Sequence, residues 1–312
     1  MVVFYSKRKC KLSNLKLNPV RPRQHIVHLN ENGKEAVQLA QWAKAAKQSL
    51  LLISETSGGK TMLAKHLAKY VFTATDWDGK VLTHMVTEKD DAGESIEVER
   101  PVPQEFVQIT CLPGLQAESL AGMWIPQAEG GLKWSDGPLT HGAMNGCLIA
   151  LEEFTRLNQD LQARFFTILD EGSRSYPLPD KGAVNLPIHP NAMVIATANP
   201  VEIGYLTHEL DRALEDRFVI RDFGHDHFVD EPKVLDGIFG GDTKFVEMMM
   251  NFAIDMRANS DTMVTPRQLI QSAKMIGVGA PAVYAIMRCI GEKFRDHKGI
   301  IETTAKAHFT GV

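Results

Sequence analysis

The feature that most constrains this chain is a four-residue apolar run, Leu50 to Ile53, that passes through Ser54-Glu55-Thr56-Ser57-Gly58-Gly59-Lys60-Thr61 into a segment of helical spacing. An uninterrupted run of large apolar residues predicts a strand buried on both faces. Beyond it, Leu63, Leu67, Tyr70 and Val71 recur at i, i+4, i+7 and i+8, one face of a helix. The octapeptide between them matches GxxxxGK[ST] in its last three positions. A loop in that setting aims backbone N–H groups and a helix N-terminus at phosphate, with a lysine for the terminal phosphates and a hydroxyl for Mg²⁺. Thr56, Ser57, Gly58, Gly59, Lys60, Thr61 and Met62 are therefore the candidate phosphate-binding residues, with Thr61 also a candidate metal ligand.

Four more apolar strands are expected at Phe106 to Cys111, Cys147 to Leu151, Met193 to Ala198 and Phe218 to Ile220, separated by stretches long enough for helices. That rhythm predicts an α/β fold with a mostly parallel sheet covered on both faces. In such a sheet, ligand groups gather where strands exit. Glu152 and Glu153 follow the third strand directly, a carboxylate for Mg²⁺ and one to polarise an attacking water. Asn199 follows the fourth and can orient that water or a phosphate. After about residue 225 the pattern turns helical: Phe245, Met249, Phe252, Ala253 and Met256 form one apolar face. Thr265-Pro266-Arg267-Gln268 has the form of a capping box, which sets Arg267 on a first turn.

In this order the elements resemble the AAA+ ATPases and, among them, the MoxR-like group with a helix-2 insert, which includes the CobS/NorQ-like ATPases. The finer resemblance rests on Leu120-Ala121-Gly122, on Gly131-Leu132-Lys133-Trp134-Ser135-Asp136-Gly137-Pro138-Leu139 and on Ala143-Met144-Asn145-Gly146. It implies a P-loop AAA+ domain with a five-stranded parallel sheet of order 5-1-4-3-2, a small C-terminal helical lid, and a homo-oligomeric ring, commonly hexameric, holding ATP and Mg²⁺ between subunits. By the same resemblance Thr61 and Glu152 hold the metal, Glu153 activates water, Asn199 is sensor 1 and Arg267 sensor 2. Arg217 is the arginine finger offered to a neighbour's ATP, with Arg212 ranking behind it. The family further implies remodelling of a protein client and a partner with a von Willebrand A domain.

The chain departs from the family at Ser54 and Ser57, where glycine is usual, and at Glu152, where aspartate is usual. A non-glycine residue held left-handed costs on the order of 1–3 kcal/mol, and the extra methylene of Glu152 moves its carboxylate by about a bond length from where Mg²⁺ geometry wants it, so turnover is expected to be slow. A nucleotide-gated scaffold with little hydrolysis is the alternative these residues raise.

At 312 residues the chain exceeds what one hydrophobic core usually supports. The expected division is a basic arm at 1–30, a nucleotide-binding domain at 31–224 and a lid at 225–312, with insertions at about 76–105, 121–140 and 172–190. Lys7, Arg8, Lys9, Lys11, Lys16, Arg21 and Arg23 lie in the arm, which holds no acid, although the whole chain has net charge −4. The arm suits nucleic acid or an acidic neighbouring subunit equally with a solvated terminus; the first of these makes a nucleic-acid motor or loader a second alternative. The first insertion carries nine acids against three bases and reads as an exposed hairpin. Trp124 and Trp134 read either as a partner-gripping hairpin or as mutual packing, and Lys181 as a pore group or a solvated one. His225-Asp226-His227 reads as loop. No apolar run reaches membrane-spanning length. Four scattered cysteines without a CxxC pair argue against a zinc knuckle or disulfides and suit a reducing, cytoplasmic setting.

Overall fold

The computed structural model describes residues 28–55, 57–89, 93–170, 172, 174–200, 208, 210–224 and 226–310. Five parallel strands make the central sheet: β1 (Ser49–Ile53), β2 (Phe106–Thr110), β3 (Leu148–Glu152), β4 (Met193–Ala198) and β5 (Phe218–Asp222). Their order is β5-β1-β4-β3-β2, the 5-1-4-3-2 arrangement expected. Alternation along the pleat sends Leu51, Ile149, Leu151, Val194 and Ala196 into one core and Leu50, Leu52, Leu148, Met193 and Ile195 into the other. Helix α1 (Glu31–Ala45) covers the second face with Ala36, Ala40 and Ala43, and α2 (Lys60–His66) adds Leu63. Small residues on α1 let that helix approach the sheet closely. Helix α3 (Pro138–Met144) contributes Leu139 and Ala143 to the opposite face.

Three antiparallel hairpins interrupt the α/β rhythm: Thr83–Lys89 with Ser95–Pro101, Gly122–Pro126 with Leu132–Asp136, and Ser175–Leu178 with Val184–Pro187. In the first, Arg100 pairs with His84 and Glu88 with Ile96, and the Arg100 guanidinium reaches along the hairpin face to Glu88 at 2.7 Å. Between the second and third, Trp124 Nε1 donates to the carbonyl of Asp180 at 3.0 Å and Lys181 Nζ lies 3.2 Å from Asp136 Oδ1. Lys181 also lies over the Trp134 ring, so it is engaged between hairpins. Trp124 and Trp134 meet edge to face at 5.5 Å while Trp124 stays 47% exposed, so packing against each other leaves one ring available.

The C-terminal part is helical: α4 (Glu231–Phe239), α5 (Thr243–Arg257), α6 (Pro266–Gly277), α7 (Ala282–Ile286, continued by a wide turn to Gly291) and α8 (Lys298–His308). Its own core gathers Leu235, Met249, Phe252, Leu269, Ile276, Ile286 and Ile301. Glu231, 2% exposed, receives both terminal nitrogens of Arg257 at 2.7 Å. Arg257 Nε donates to the carbonyl of Val264 at 2.8 Å, which ties α4, α5 and the entry to α6. Both bonds of the capping box between Thr265 and Gln268 form.

Candidate functional site

Where β1 ends, three neighbours hold the loop in place. Ser54 N donates to Ala198 O at 3.3 Å, Glu55 N to Gly224 O at 2.9 Å, and Phe228 N to Gly58 O at 2.8 Å. The loop is thereby fastened to the exits of β4 and β5 and to the segment leading into the lid. Gly59, at φ 96, begins α2 in a left-handed conformation that glycine adopts without steric cost. A Cβ on Gly58 would lie 2.9 Å from Ser54 Oγ, so that position is a cradle only glycine fits. Ser57 does take a left-handed φ of 75. Ser54 does not, which corrects the expectation of strain there: its side chain is fully buried and turned inward to Lys60. Thr56 lies outside the described residues.

Lys60 is 8% exposed. Its Nζ donates to the Ser54 carbonyl, to Ser54 Oγ at 3.2 Å, to the Glu55 carbonyl at 2.9 Å and to Asn199 Oδ1 at 3.2 Å. All four oxygens are uncharged. Burial pushes the ammonium down to about 8, partly opposed by the charges of Glu153 and Glu55. Parallel pairing of β1 with β4 brings Asn199 here, one residue past the register pair of Ile53 with Ala198.

On the other side of the loop, Thr61 Oγ1 donates to Glu152 Oε1. Glu152 Oε2 accepts from Gln108 Nε2 at 2.8 Å and from Thr110 Oγ1 at 3.4 Å. Glu153 turns away at φ 58, with its backbone N donating to Thr197 Oγ1 at 3.2 Å and Oε2 lying 2.9 Å from Arg156 Nε. The last residue of β3 and the residue that follows it therefore turn their carboxylates to different partners. Gln108, Thr110, Thr197 and Arg156 were not among the sequence candidates. Only the strand order, which pairs Thr110 with Glu152, could have pointed to the first two.

These residues fit a nucleotide and a hard divalent ion. A glycine-lined loop at a helix start, a buried ammonium among neutral oxygens, and a hydroxyl hydrogen-bonded to a carboxylate supply N–H, cationic and oxygen donors respectively. Met62, the next residue, is exposed on α2.

Among the described residues no hydrogen bond or ion pair joins Arg217, Arg267 or Arg212 to this cluster. Arg217 precedes β5, whose Phe218 pairs with Ser49 at the entering end of β1. The phosphate loop leaves β1 at Ile53, about 13 Å further along at roughly 3.3 Å per residue. Arg217 Nη1 donates to Ala213 O at 2.5 Å and its guanidinium lies 4.9 Å from the Phe166 ring centre. Its buried Nε has no hydrogen-bond partner among the described residues, and the salt bridges to Asp216 or Glu215 that would make it a local structural residue do not form. It borders an open cleft of about 300 Å³ with Asp170 and Asp216. Arg267 is exposed on the first turn of α6, and Arg212 opens a short helix, Arg212–Glu215, near Arg217. Of the motif His225-Asp226-His227, His225 lies outside the described residues. His227 Nε2 faces Glu231 at 3.6 Å.

The strand order, the lysine-bearing loop, the acid pair and the asparagine at the next strand have the arrangement of a P-loop nucleotide hydrolase of the AAA+ class. The family profile of the AAA domain (dynein-related subfamily) matches residues 95–218. The protein CbbQ of Hydrogenophilus thermoluteolus is 27% identical over 192 residues, spanning 59% of this chain and 70% of that one. The denitrification regulatory protein NirQ of Stutzerimonas stutzeri is 24% identical over 194 residues, 60% of this chain and 68% of that one. The gas vesicle ATPase GvpN of Haloferax mediterranei is 26% identical over 226 residues, 72% and 60% respectively. Across these matches the chain is similar to the AAA+ ATPases of the MoxR-like group. Among the described residues no helix is long and apolar enough to cross a membrane.

Proposed function

We propose that the chain hydrolyses ATP with Mg²⁺ at an interface between copies in a ring, hexameric as is common for the class, and uses lid closure to rearrange a protein client. Lys60 and the N–H groups of Ser57 to Met62 bind the phosphates, while Thr61 and Glu152 hold the metal. Mg²⁺, when bound, neutralises charge developing on the phosphate oxygens. Glu153 takes the proton of the attacking water, for which its carboxylate must leave Arg156. Asn199 orients the reacting groups through its contact with Lys60, and Arg267 approaches the nucleotide from the lid.

The observation that carries the ring is the place of Arg217. It sits at the wrong end of the sheet for its own phosphate loop, at an open cleft, with Nε unpartnered among the described residues. Such an arginine suits a neighbour's nucleotide. The joined second and third hairpins, exposing Met123, Trp124, Ile125 and Leu132, favour a protein client. A von Willebrand A domain is the partner class that the family resemblance brings, and the roles named for NirQ and GvpN, denitrification regulation and gas vesicles, extend to this chain only as analogies.

Steady-state ATPase activity measured across protein concentration, with particle size in the same samples, tests the reading. Activity per chain should rise with assembly. Flat activity from a monomer would overturn the interfacial site, and binding without turnover in the assembled state would favour the scaffold alternative. The nucleic-acid alternative predicts salt-sensitive DNA or RNA binding that disappears on deleting residues 1–30, of which 1–27 lie outside the described structure.

A further inference from the structure

At the end of the sheet opposite the phosphate loop, three side chains from three segments converge. Glu105 immediately precedes β2, Cys147 immediately precedes β3, and His141 lies on α3. One ligand atom from each lies within 4.8 Å of the other two. We propose that Cys147 Sγ, His141 Nε2 and the Glu105 carboxylate form a binding site for a zinc-class divalent cation, with solvent completing a four-coordinate shell.

The backbone holds the three in register. Leu148 N donates to Glu105 O at 2.8 Å, fastening the residues beside the carboxylate and the thiol to each other across β2 and β3. Cys147 N donates to Gly142 O at 3.0 Å, which does the same for the thiol and the helix that carries His141. Cys147 is fully buried and forms the floor. His141 and Glu105, with side chains 46% and 58% exposed and their Nε2 and Oε1 atoms 2.8 Å apart, form the rim through which an ion enters.

Donor chemistry selects the ion. One sulfur, one imidazole nitrogen and one carboxylate oxygen suit Zn²⁺ or Co²⁺, whereas Mg²⁺ and Ca²⁺ take oxygen shells. Capture requires the thiolate, so the Cys147 proton passes to solvent as the sulfur–metal bond forms. When Nε2 binds metal, the ring proton resides on Nδ1, which lies 3.2 Å from the Asn145 side-chain amide. A half-turn of that amide, which gives up the bond from its nitrogen to the His141 carbonyl at 2.9 Å, presents its oxygen as acceptor, the outer partner that metal-bound histidines almost always have. The site would pin α3 to the entering edge of β2 and β3.

The test uses the full chain, stripped with chelator under a non-thiol reductant and titrated with Co²⁺. A near-ultraviolet thiolate-to-cobalt band with visible d–d bands should saturate at one equivalent and vanish on adding Zn²⁺. Cys147→Ser should remove the near-ultraviolet band. Because that core substitution can impair folding, the rim variants His141→Ala and Glu105→Gln decide the matter: each should weaken Co²⁺ binding about ten-fold or more, while nucleotide binding shows that both remain folded. No thiolate band in the parent chain, or a band of unchanged affinity in both rim variants, would overturn the site and leave His141 and Glu105 as a surface ion pair. Cobalt held only by the Thr61 and Glu152 oxygens gives no thiolate band and counts against it too.

Discussion

Lys60 Nζ and Asn199 Oδ1, residues 139 apart in the chain, lie 3.2 Å from one another. This bond links the lysine of the loop, proposed to bind phosphate, to the exit of β4, next to the strand that carries the loop. Asn199→Ala should leave ATP affinity within a few-fold and lower turnover by about 10²-fold, the scale for losing one positioned polar group. Lys60→Met should instead weaken ATP binding by about 10- to 100-fold, since charge-assisted bonds to phosphate are lost. Titration of a fluorescent ATP analogue beside single-turnover hydrolysis separates the two. Equal losses of binding in both variants would show that Asn199 only supports the loop.

The depressed lysine has a consequence for pH. With its ammonium at about 8 in the free protein, Lys60 is increasingly neutral above that pH, and a bound phosphate restores its charge. Nucleotide affinity should therefore fall as pH rises from 8 towards 10, with proton uptake on binding across that window. Calorimetry in buffers of different ionisation enthalpy measures the uptake. Lys44, pushed down to about 7 by burial alone, makes a parallel point about stability. Between pH 7 and its ordinary 10.5 the unfolded chain binds the extra proton, so this residue makes stability rise with pH. Lys44→Met should flatten that rise in melting curves recorded from pH 7 to 9.

Much of this architecture was legible in the sequence because each signal was local. Leu50 to Ile53, Leu148 to Leu151 and Met193 to Ala198 could only be buried strands, and a strand-turn-helix bearing Gly59 and Lys60 left little choice of loop. The strand order and the roles of Arg217 and Arg267 came through family resemblance. What the sequence hid depends on pairing across distance. Gln108 and Thr110 looked like ordinary polar positions on an edge strand until β2 lay beside β3 and aimed them at Glu152. Scattered cysteines suggested no metal chemistry, yet folding brings Cys147 to a histidine and a glutamate from other segments. Helix α8 offered only a thin apolar stripe, Ile301 and Ala305, and becomes visible once the lid core surrounds it.

Glu153 shows how a strained backbone serves the site. Its left-handed φ of 58 swings the carboxylate away from Glu152 and onto Arg156. Glu153→Gln removes the proposed base without changing its shape, so ATP should still bind and turnover should fall by about 10²- to 10⁴-fold. Isolated nucleotide-bound assemblies of that variant should retain ATP when chromatographed, and ADP in its place would assign the base to another residue.

The lid depends on one buried ion pair. Glu231 has no route to solvent at 2% exposure, and its two oxygens both rest on Arg257. Truncating Arg257 to alanine strands that charge and should cost about 3–5 kcal/mol. Urea unfolding followed by circular dichroism should detect the loss. A change below about 1 kcal/mol would mean that His227, 3.6 Å from Glu231, compensates.

Arg217 gives the sharpest prediction because its failure can be repaired in trans. Arg217→Ala removes a group worth about 10³ to 10⁵ in rate if it reaches a neighbour's ATP, and removes only the contact with Phe166 and Ala213 if it does not. Lys60→Met weakens nucleotide binding by about 10- to 100-fold but leaves Arg217 intact, so at an ATP concentration well below its weakened affinity it stays empty. Each variant alone should be inactive. Mixed, they form interfaces in which an Arg217→Ala copy holds ATP while its Lys60→Met neighbour supplies the arginine, and activity should return to a fraction set by the mixing ratio. That recovery follows from geometry: the phosphate loop and Arg217 occupy opposite ends of β1 and β5, so no single copy can use both. If the mixture stays inactive although both variants assemble with each other, the arginine does not cross the interface and Arg212, exposed on the short helix just before it, becomes the residue to replace next.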